Sequence, residues 1–302
     1  MIFQSPPMSR QGHLTGQSAT ILRADLNSRV KFNMLNLVKS PIHAALSRLG
    51  LTIQRVKHEP YKELWEVQRF TEHTVNLLDR PFTIADSRSF FFSYREIFVD
   101  QIYRFAAQSA APRVIDCGSN CGTSIVYFKS IYPNSRITGI EADAKIFALL
   151  KKNCAHLDVD LRNVAVSKNN EPLQFFSEGS DGGRTHALSE PKAVVRVEAV
   201  TLDDLIDSPV DFLKIDIEGA EGDSLEACTK LSLVDQMFIE YHSFADSEQT
   251  LGRMLNKLTA EGFRYYIHQQ FCSPRPLTED ALQLGMDLQL NIFAKRIKPG
   301  AV

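Results

Sequence analysis

Three groups of residues carry side chains that a folded chain must justify. The first is Lys214-Ile215-Asp216-Ile217-Glu218, where ionisable residues alternate with isoleucines. Strand side chains alternate between faces, so Lys214, Asp216 and Glu218 are expected on one side. A central parallel strand is ordinarily apolar on both faces, and an unpaired buried charge is costly. The second group, Glu240-Tyr241-His242, repeats the alternation. The third is Asp116-Cys117-Gly118-Ser119-Asn120-Cys121-Gly122, an acid leading into a turn of small residues. Gly118 and Gly122 let a ligand approach the backbone closely. Asn120 tolerates the left-handed conformation such turns use, and free N–H groups at a helix start can face a ligand. Together these groups offer proton transfer and ligand orientation.

The turn discriminates between nucleoside cofactors. The dinucleotide fingerprint is G-x-G-x-x-G with an acid about 20 positions later. Here the second and third glycine positions are occupied by Asn120 and Thr123. Asp116 precedes the first glycine by two residues, where a carboxylate would repel a pyrophosphate. It suits a cofactor with positive charge and no phosphate, as in the ammonium and sulfonium of S-adenosylmethionine. Ile137-Thr138-Gly139-Ile140-Glu141 reads as a second strand ending in an acid, and Glu141 is placed to accept both ribose hydroxyls. A turn that only connects strand to helix, with Asp116 as a cap, is the blander alternative. The ordered occurrence of strand, turn and second acid speaks against it.

These pieces resemble the FkbM family of S-adenosylmethionine-dependent methyltransferases. The resemblance covers roughly the last two-thirds of the chain. It is carried by Val114–Gly122, Ile140-Glu141-Ala142, Asn163-Val164-Ala165-Val166-Ser167 and Thr201-Leu202-Asp203-Asp204-Leu205. Most specific is Val210-Asp211-Phe212-Leu213-Lys214-Ile215-Asp216-Ile217-Glu218-Gly219-Ala220-Glu221, joined by Ile239-Glu240-Tyr241-His242 and Leu290-Asn291-Ile292-Phe293-Ala294. One departure is Ala142, where the family more often has proline after the acid. The resemblance implies a Rossmann-like class I methyltransferase fold, with a mostly parallel seven-stranded sheet and an antiparallel last strand. It implies S-adenosylmethionine as donor, S-adenosylhomocysteine as product, and an acceptor hydroxyl on a sugar, glycolipid or secondary metabolite.

Roles follow from these placements. Asp116, Gly118, Ser119, Asn120, Gly122 and Glu141 are expected to serve the cofactor, with Asn163 on the adenine edge. The resemblance puts methyl transfer at Asp216. The sulfonium already activates the methyl group, so the protein must align a nucleophile with it. A general base helps an alcohol react, and Asp216, Glu218 or His242 could supply it. Lys214 is expected to be structural, paired with a carboxylate such as Glu240. Glu221 is expected to favour the next helix N-terminus. Converging carboxylates could also hold a divalent cation, but no compact ligand motif is present and none is assigned. A nicotinamide-dependent oxidoreductase and a noncatalytic module on the same fold are the rival functions.

Strands alternating with helices must position these residues, the pattern of a parallel sheet with helices on both faces. Strands are expected at Arg113–Asp116, Arg136–Glu141, Val159–Val166, Phe212–Ile217 and Gln236–Tyr241. Residues 172–176 and 193–200 read as extra strands around a mobile loop at 177–190. Phe263–Ile267 and Leu288–Ala294 read as a closing antiparallel pair. Asp143 is a candidate cap for a helix burying Ile146, Leu149, Leu150 and Cys154. Ser93-Tyr94-Arg95-Glu96 has capping-box spacing before a helical pattern over 93–106, and Phe90, Phe91 and Phe92 read as core. Three segments result: a disordered extension 1–33, a helical appendage 34–107 and a cofactor-binding domain 108–302. Met34 reads as an alternative start.

Composition narrows the partners. With 34 Lys+Arg against 36 Asp+Glu over 302 residues, the net charge of −2 exerts no pull toward nucleic acid. From Asn27 to His58 there are bases and no acids, but the charge is sparse. A helix packed on the main domain is therefore preferred over peripheral contact of 34–57 with an anionic membrane. Five cysteines without paired C-x-x-C spacing indicate reduced thiols and a cytoplasmic setting. The expected partner is a small-molecule or glycan acceptor; nothing specifies an oligomer.

Overall fold

The computed structural model describes residues 59–177, 193–279 and 281–297. The expected extension 1–33, the basic segment 34–57 and almost all of the glycine-bearing loop at 177–190 lie outside them. The centre is a seven-stranded sheet. Its strands, in chain order, are β3 (Arg113–Cys117), β4 (Arg136–Ile140), β5 (Asp160–Arg162), β10 (Val210–Ile215), β11 (Val234–Phe244), β12 (Phe263–Cys272) and β13 (Met286–Arg296). The spatial order is β12-β13-β11-β10-β3-β4-β5. β3, β4, β5, β10 and β11 run parallel, and β13 is antiparallel to both neighbours. This is the Rossmann-like class I methyltransferase arrangement, with helices on both faces.

Burial explains why β10 is central. Leu213 and Ile215 pack with Ile115, Ile239, Leu225, Met254 and Leu258 in one core. Phe212 and Val114 pack on the opposite face with Ile125, Phe128, Phe238 and Tyr103. Fully burying each such side chain contributes roughly 1.5–3 kcal/mol. α2 (Thr123–Ile131) and α3 (Ala144–Cys154) supply connections between the first strands. Asp143 Oδ1 accepts the N–H groups of Lys145 and Ile146 and so caps α3. α3 buries Ile146, Leu149, Leu150, Asn153 and Cys154. α4 (Leu202–Leu205) opens with the capping box of Thr201 and Asp204. α5 (Glu221–Ala227) and α6 (Leu251–Ala260) cover the other face. Small ladders pair β6 (Ala165–Val166) with β9 (Ala199–Val200), and β7 (Leu173–Ser177) with β8 (Ala193–Val197).

The segment before β3 departs from the helical expectation for 34–107. Residues His73–Leu77 (β1) and Arg80–Ile84 (β2) form an antiparallel hairpin. Its two-residue turn, Leu78-Asp79, has positive φ at both positions, the type I′ geometry that matches strand twist. The helix expected over 93–106 is displaced. α1 spans Ser87–Tyr94 and passes into a π-helical turn, Arg95–Val99. Its cap is Asp86, whose Oδ1 accepts from Arg88 N and Ser89 N. Ser93 therefore lies inside the helix. Phe90 and Phe91 are buried, but Phe92 is 43% exposed.

Among the described residues, no helix is long and apolar enough to cross a membrane. All five cysteines are free thiols.

Candidate active site

The strands β3, β4, β10 and β11 deliver their ionisable residues to one end of the sheet. Lys214 lies directly opposite Asp116 across the β10/β3 ladder. Its ammonium is 2% exposed and sits 3.4 Å from Asp116 Oδ1 and 3.2 Å from Asp216 Oδ2. It also donates to the Gly118 carbonyl at 2.6 Å. Burial lowers the lysine pKa, but Asp216 and Asp116 together raise it well above the ordinary value. The expected structural role of Lys214 fits this geometry; its carboxylate partners are Asp116 and Asp216 rather than Glu240.

The glycine turn is held from within. Gly118 has φ +82, and a Cβ there would lie 1.8 Å from the Asp216 carbonyl oxygen. Gly122 has φ +96 and abuts Cys154 and Leu150. Asn120 is left-handed, at φ 49. The N–H groups of Gly118 and Ser119 both donate to Ile140 O. Asn120 N–H donates to Glu141 Oε2 at 2.9 Å, Cys121 N–H to Asn120 Oδ1, and Gly122 N–H to Ser119 O. The N–H groups of residues 118–122 are thus engaged internally. Gly118→Ala is expected to destabilise the fold by at least about 2 kcal/mol, because the left-handed conformation and the carbonyl contact act together. Thermal unfolding measures it, and a shift within error would contradict the close approach.

Asp116 has no exposed surface. Its Oδ2 accepts from Ser124 Oγ, and its backbone carbonyl accepts from Ser119 Oγ at 2.9 Å. The carboxylate therefore lies beneath the turn and works through Lys214 and Ser124. Ser119 is likewise buried. Glu141 lies at the end of β4 and accepts the N–H of Asp143 as well as that of Asn120. Burial pushes its carboxyl up to about 7, against the pull of those two donors. Asn163 donates from Nδ2 to the carbonyls of Glu141 and Ala142, fixing the loop that carries Glu141.

Beyond β10 the chain turns sharply. Glu218 has φ 54 and Gly219 φ 103. A left-handed glutamate is uncommon and marks a conformation imposed by its surroundings. Those surroundings centre on Glu221, which has no exposed surface. Its carboxylate accepts the N–H groups of Ile217 and Gly219 and contacts His242 Nδ1 at 3.0 Å. His242 Nε2 faces the other way, 3.8 Å from both Glu218 Oε2 and Glu240 Oε1. Burial lowers the imidazole pKa, but the Glu218 and Glu221 carboxylates outweigh it and hold the ring well above its ordinary range. Asp216, Glu218 and His242 each bring a ligand-capable atom within 4.8 Å of one another.

Three further residues escaped the sequence reading. Glu96, in the π-helical turn, accepts from Gln270 Nε2 at 3.2 Å. Burial and then the Asp216 charge push its carboxyl up to about 7. Gln289 donates to Glu240 Oε1 at 2.6 Å; burial, followed by the Asp216 charge, pushes Glu240 up to about 8. Asn153 accepts from Thr83 N and donates to the carbonyls of Thr83 and Cys121. Its signal was available, since it is a lone polar residue within the apolar stripe of α3.

Residues 116–265 match the family model described as the methyltransferase FkbM domain. The chain carries an FkbM methyltransferase domain. That domain begins at Asp116 and takes in the glycine turn, Glu141, the β10 acids and His242. Methyltransferase 1 of Beauveria bassiana is 24% identical over 221 residues, covering 62% of this chain and 86% of that protein. The 2-O-methyltransferase NoeI of Sinorhizobium fredii is 26% identical over 165 residues, covering 47% of this chain and 67% of that protein. A crystal structure of methyltransferase FkbM from Methylobacillus flagellatus aligns with a TM-score of 0.41 at 18% identity. The alignment covers 63% of this chain and spans 45% of the length of that one. The fold of the FkbM domain rests on its strand order.

Proposed function

We propose that this chain transfers the methyl group of S-adenosylmethionine to a hydroxyl of a sugar, glycolipid or secondary metabolite, with residues 108–302 binding the cofactor. The observation that carries the reading is the acid-lined end of the sheet beside the Gly118–Gly122 turn. Glu141, Asp216, Glu218 and Glu240 converge there, a setting that suits a cationic donor and opposes a pyrophosphate. The 2-O-methyltransferase name of one relative supports oxygen as the acceptor atom.

Glu141 binds the ribose diol, and Asn163 holds its loop beside the adenine. Gly118, Ser119, Asn120 and Gly122 shape the cofactor cleft. Asp116 acts from below by fixing Lys214. Lys214 occupies one oxygen of Asp216, leaving the other to accept the acceptor's proton. The acceptor O–H bond breaks toward Asp216, a C–O bond forms to the methyl carbon, and the C–S bond breaks. The products are a methyl ether and S-adenosylhomocysteine. His242, anchored by Glu221, orients the acceptor together with Glu218.

Calorimetry with S-adenosylmethionine, S-adenosylhomocysteine and NAD tests the reading. Micromolar binding of both sulfur ligands and none of NAD is expected. NAD binding without S-adenosyl binding would favour the oxidoreductase. Sulfur-ligand binding without turnover on any hydroxyl acceptor would favour the noncatalytic module.

Glu141 adds a pH signature. The ribose hydroxyls donate, so they prefer the ionised carboxylate. S-Adenosylmethionine affinity is expected to rise about tenfold from pH 6 to 8, following ionisation of a group near 7. Glu141→Gln should flatten that rise. The same raised pKa favours folding below the unfolded value, and this contribution is lost as pH rises through about 7. Ligand affinity and intrinsic stability therefore move in opposite directions across this window.

A further inference from the structure

We propose that Asp216, Glu218 and His242 form a divalent-cation site at the acceptor side of the cleft. One oxygen from each acid and one ring nitrogen lie within 4.8 Å of one another. Three ligands about 2.1 Å from one ion sit closer together than that, so binding requires only small side-chain rotations.

A cluster of acids would not by itself carry this. The second observation is the histidine. Its side chain is 2% exposed. Nδ1 is held at 3.0 Å by Glu221, a carboxylate with no exposed surface that is itself fixed by two backbone N–H groups. A histidine that ligates a metal typically presents one nitrogen to the ion and gives the other N–H to such a carboxylate. Nε2 then points at the cluster with only long contacts: 3.5 Å to Gln289 Nε2 and 3.8 Å to Glu218 and Glu240. Among the described residues, no acceptor lies within normal hydrogen-bond reach of this buried nitrogen. A third observation lies next door. Asn291 is opposite Glu240 on the same sheet face, is 2% exposed, and its Oδ1 has no hydrogen-bond partner among the described residues.

The ligand set selects the ion. One imidazole nitrogen with two carboxylates suits Mn²⁺ or Zn²⁺ better than Ca²⁺, which prefers an all-oxygen shell. Ligation places the cation where the Nε2 proton would be. The left-handed turn at Glu218 also acquires a purpose, because it brings that carboxylate back toward β11. Metal binding stands independently of the proposed methyl transfer. The cation's role rests on that reading: held by Asp216, it would itself acidify the acceptor hydroxyl, in place of proton transfer to that carboxylate.

The test is Mn²⁺ titration of the chelator-treated full chain, followed by loss of the free-ion electron paramagnetic resonance signal. One Mn²⁺ per chain is expected, displaced by Zn²⁺. Glu218→Gln and His242→Gln should each weaken binding at least about tenfold, and Glu221→Gln about 10–100-fold through the histidine. Glu198→Gln, an exposed acid elsewhere, should leave it unchanged. If His242→Gln does not fold, Glu218→Gln decides, because its side chain is partly exposed. Absence of stoichiometric Mn²⁺, or equal binding by wild type and Glu218→Gln, overturns the site. S-Adenosylmethionine calorimetry on the same samples separates the two readings. Loss of that binding alone would overturn the methyl-transfer reading and leave the metal site intact.

Discussion

Lys214→Met is expected to cost about 3–5 kcal/mol of folding stability, because it leaves a buried carboxylate without its counter-charge. Asp116 is the residue exposed to this loss. It is fully buried, and Lys214 is the cation paired with it. Methionine preserves much of the side-chain volume, so the penalty is electrostatic rather than a cavity. It also removes the donor that holds the Gly118 carbonyl. The penalty is a large fraction of the roughly 5–15 kcal/mol typical of a domain. Asp116→Asn in the Lys214→Met background should restore part of the stability, since the stranded charge is gone. Asp216 gains less from such rescue, because its side chain is 24% exposed and can be hydrated. Urea denaturation of the two single variants and the double variant completes the cycle. A single-variant cost below about 1 kcal/mol would mean that the pair contributes no more than a surface ion pair.

Asp216→Asn is expected to lower kcat by about 10²–10⁴-fold, the range for removing a general base. The amide keeps the shape of the carboxylate. The backbone bond from Asp216 N to Cys117 O and the carbonyl against Gly118 do not depend on the side chain. S-Adenosylmethionine affinity should therefore change little, and the loss should appear in turnover rather than in KM for the donor. A merely structural role predicts the reverse pattern, with affinity and melting temperature falling while turnover per folded molecule is kept. Equal turnover in Asp216→Asn would move the proton to Glu218 or to solvent.

The legible parts of this molecule are those whose causes are local. The Asp116–Gly122 turn, the Asp143 cap and the apolar stripe of α3 each follow from residues a few positions apart. The Thr201/Asp204 capping box is likewise contained within four residues. The β1/β2 hairpin was hidden because each strand offers only five residues of alternation, and Leu78-Asp79 replaces the Asn-Gly signal of a type I′ turn. α1 was misplaced because Ser93 and Glu96 have capping-box spacing, whereas Asp86 satisfies the helix start seven residues earlier. Alternation put Lys214 among charges but could not say which. Its partner Asp116 is 98 positions away in sequence and adjacent only because β10 lies beside β3. Glu96 joined the site for a similar reason, since its turn reaches the sheet only after folding.

The carboxamide of Asn153 behaves like a borrowed peptide unit. It gives Thr83 both the acceptor and the donor that a neighbouring strand would have given, and spends its remaining hydrogen on Cys121. A two-stranded ribbon thereby gains a third rung from a helix. The same helix presses Leu150 and Cys154 against Gly122. Grafting the ribbon onto a related scaffold would therefore require moving this helix with it as one cassette.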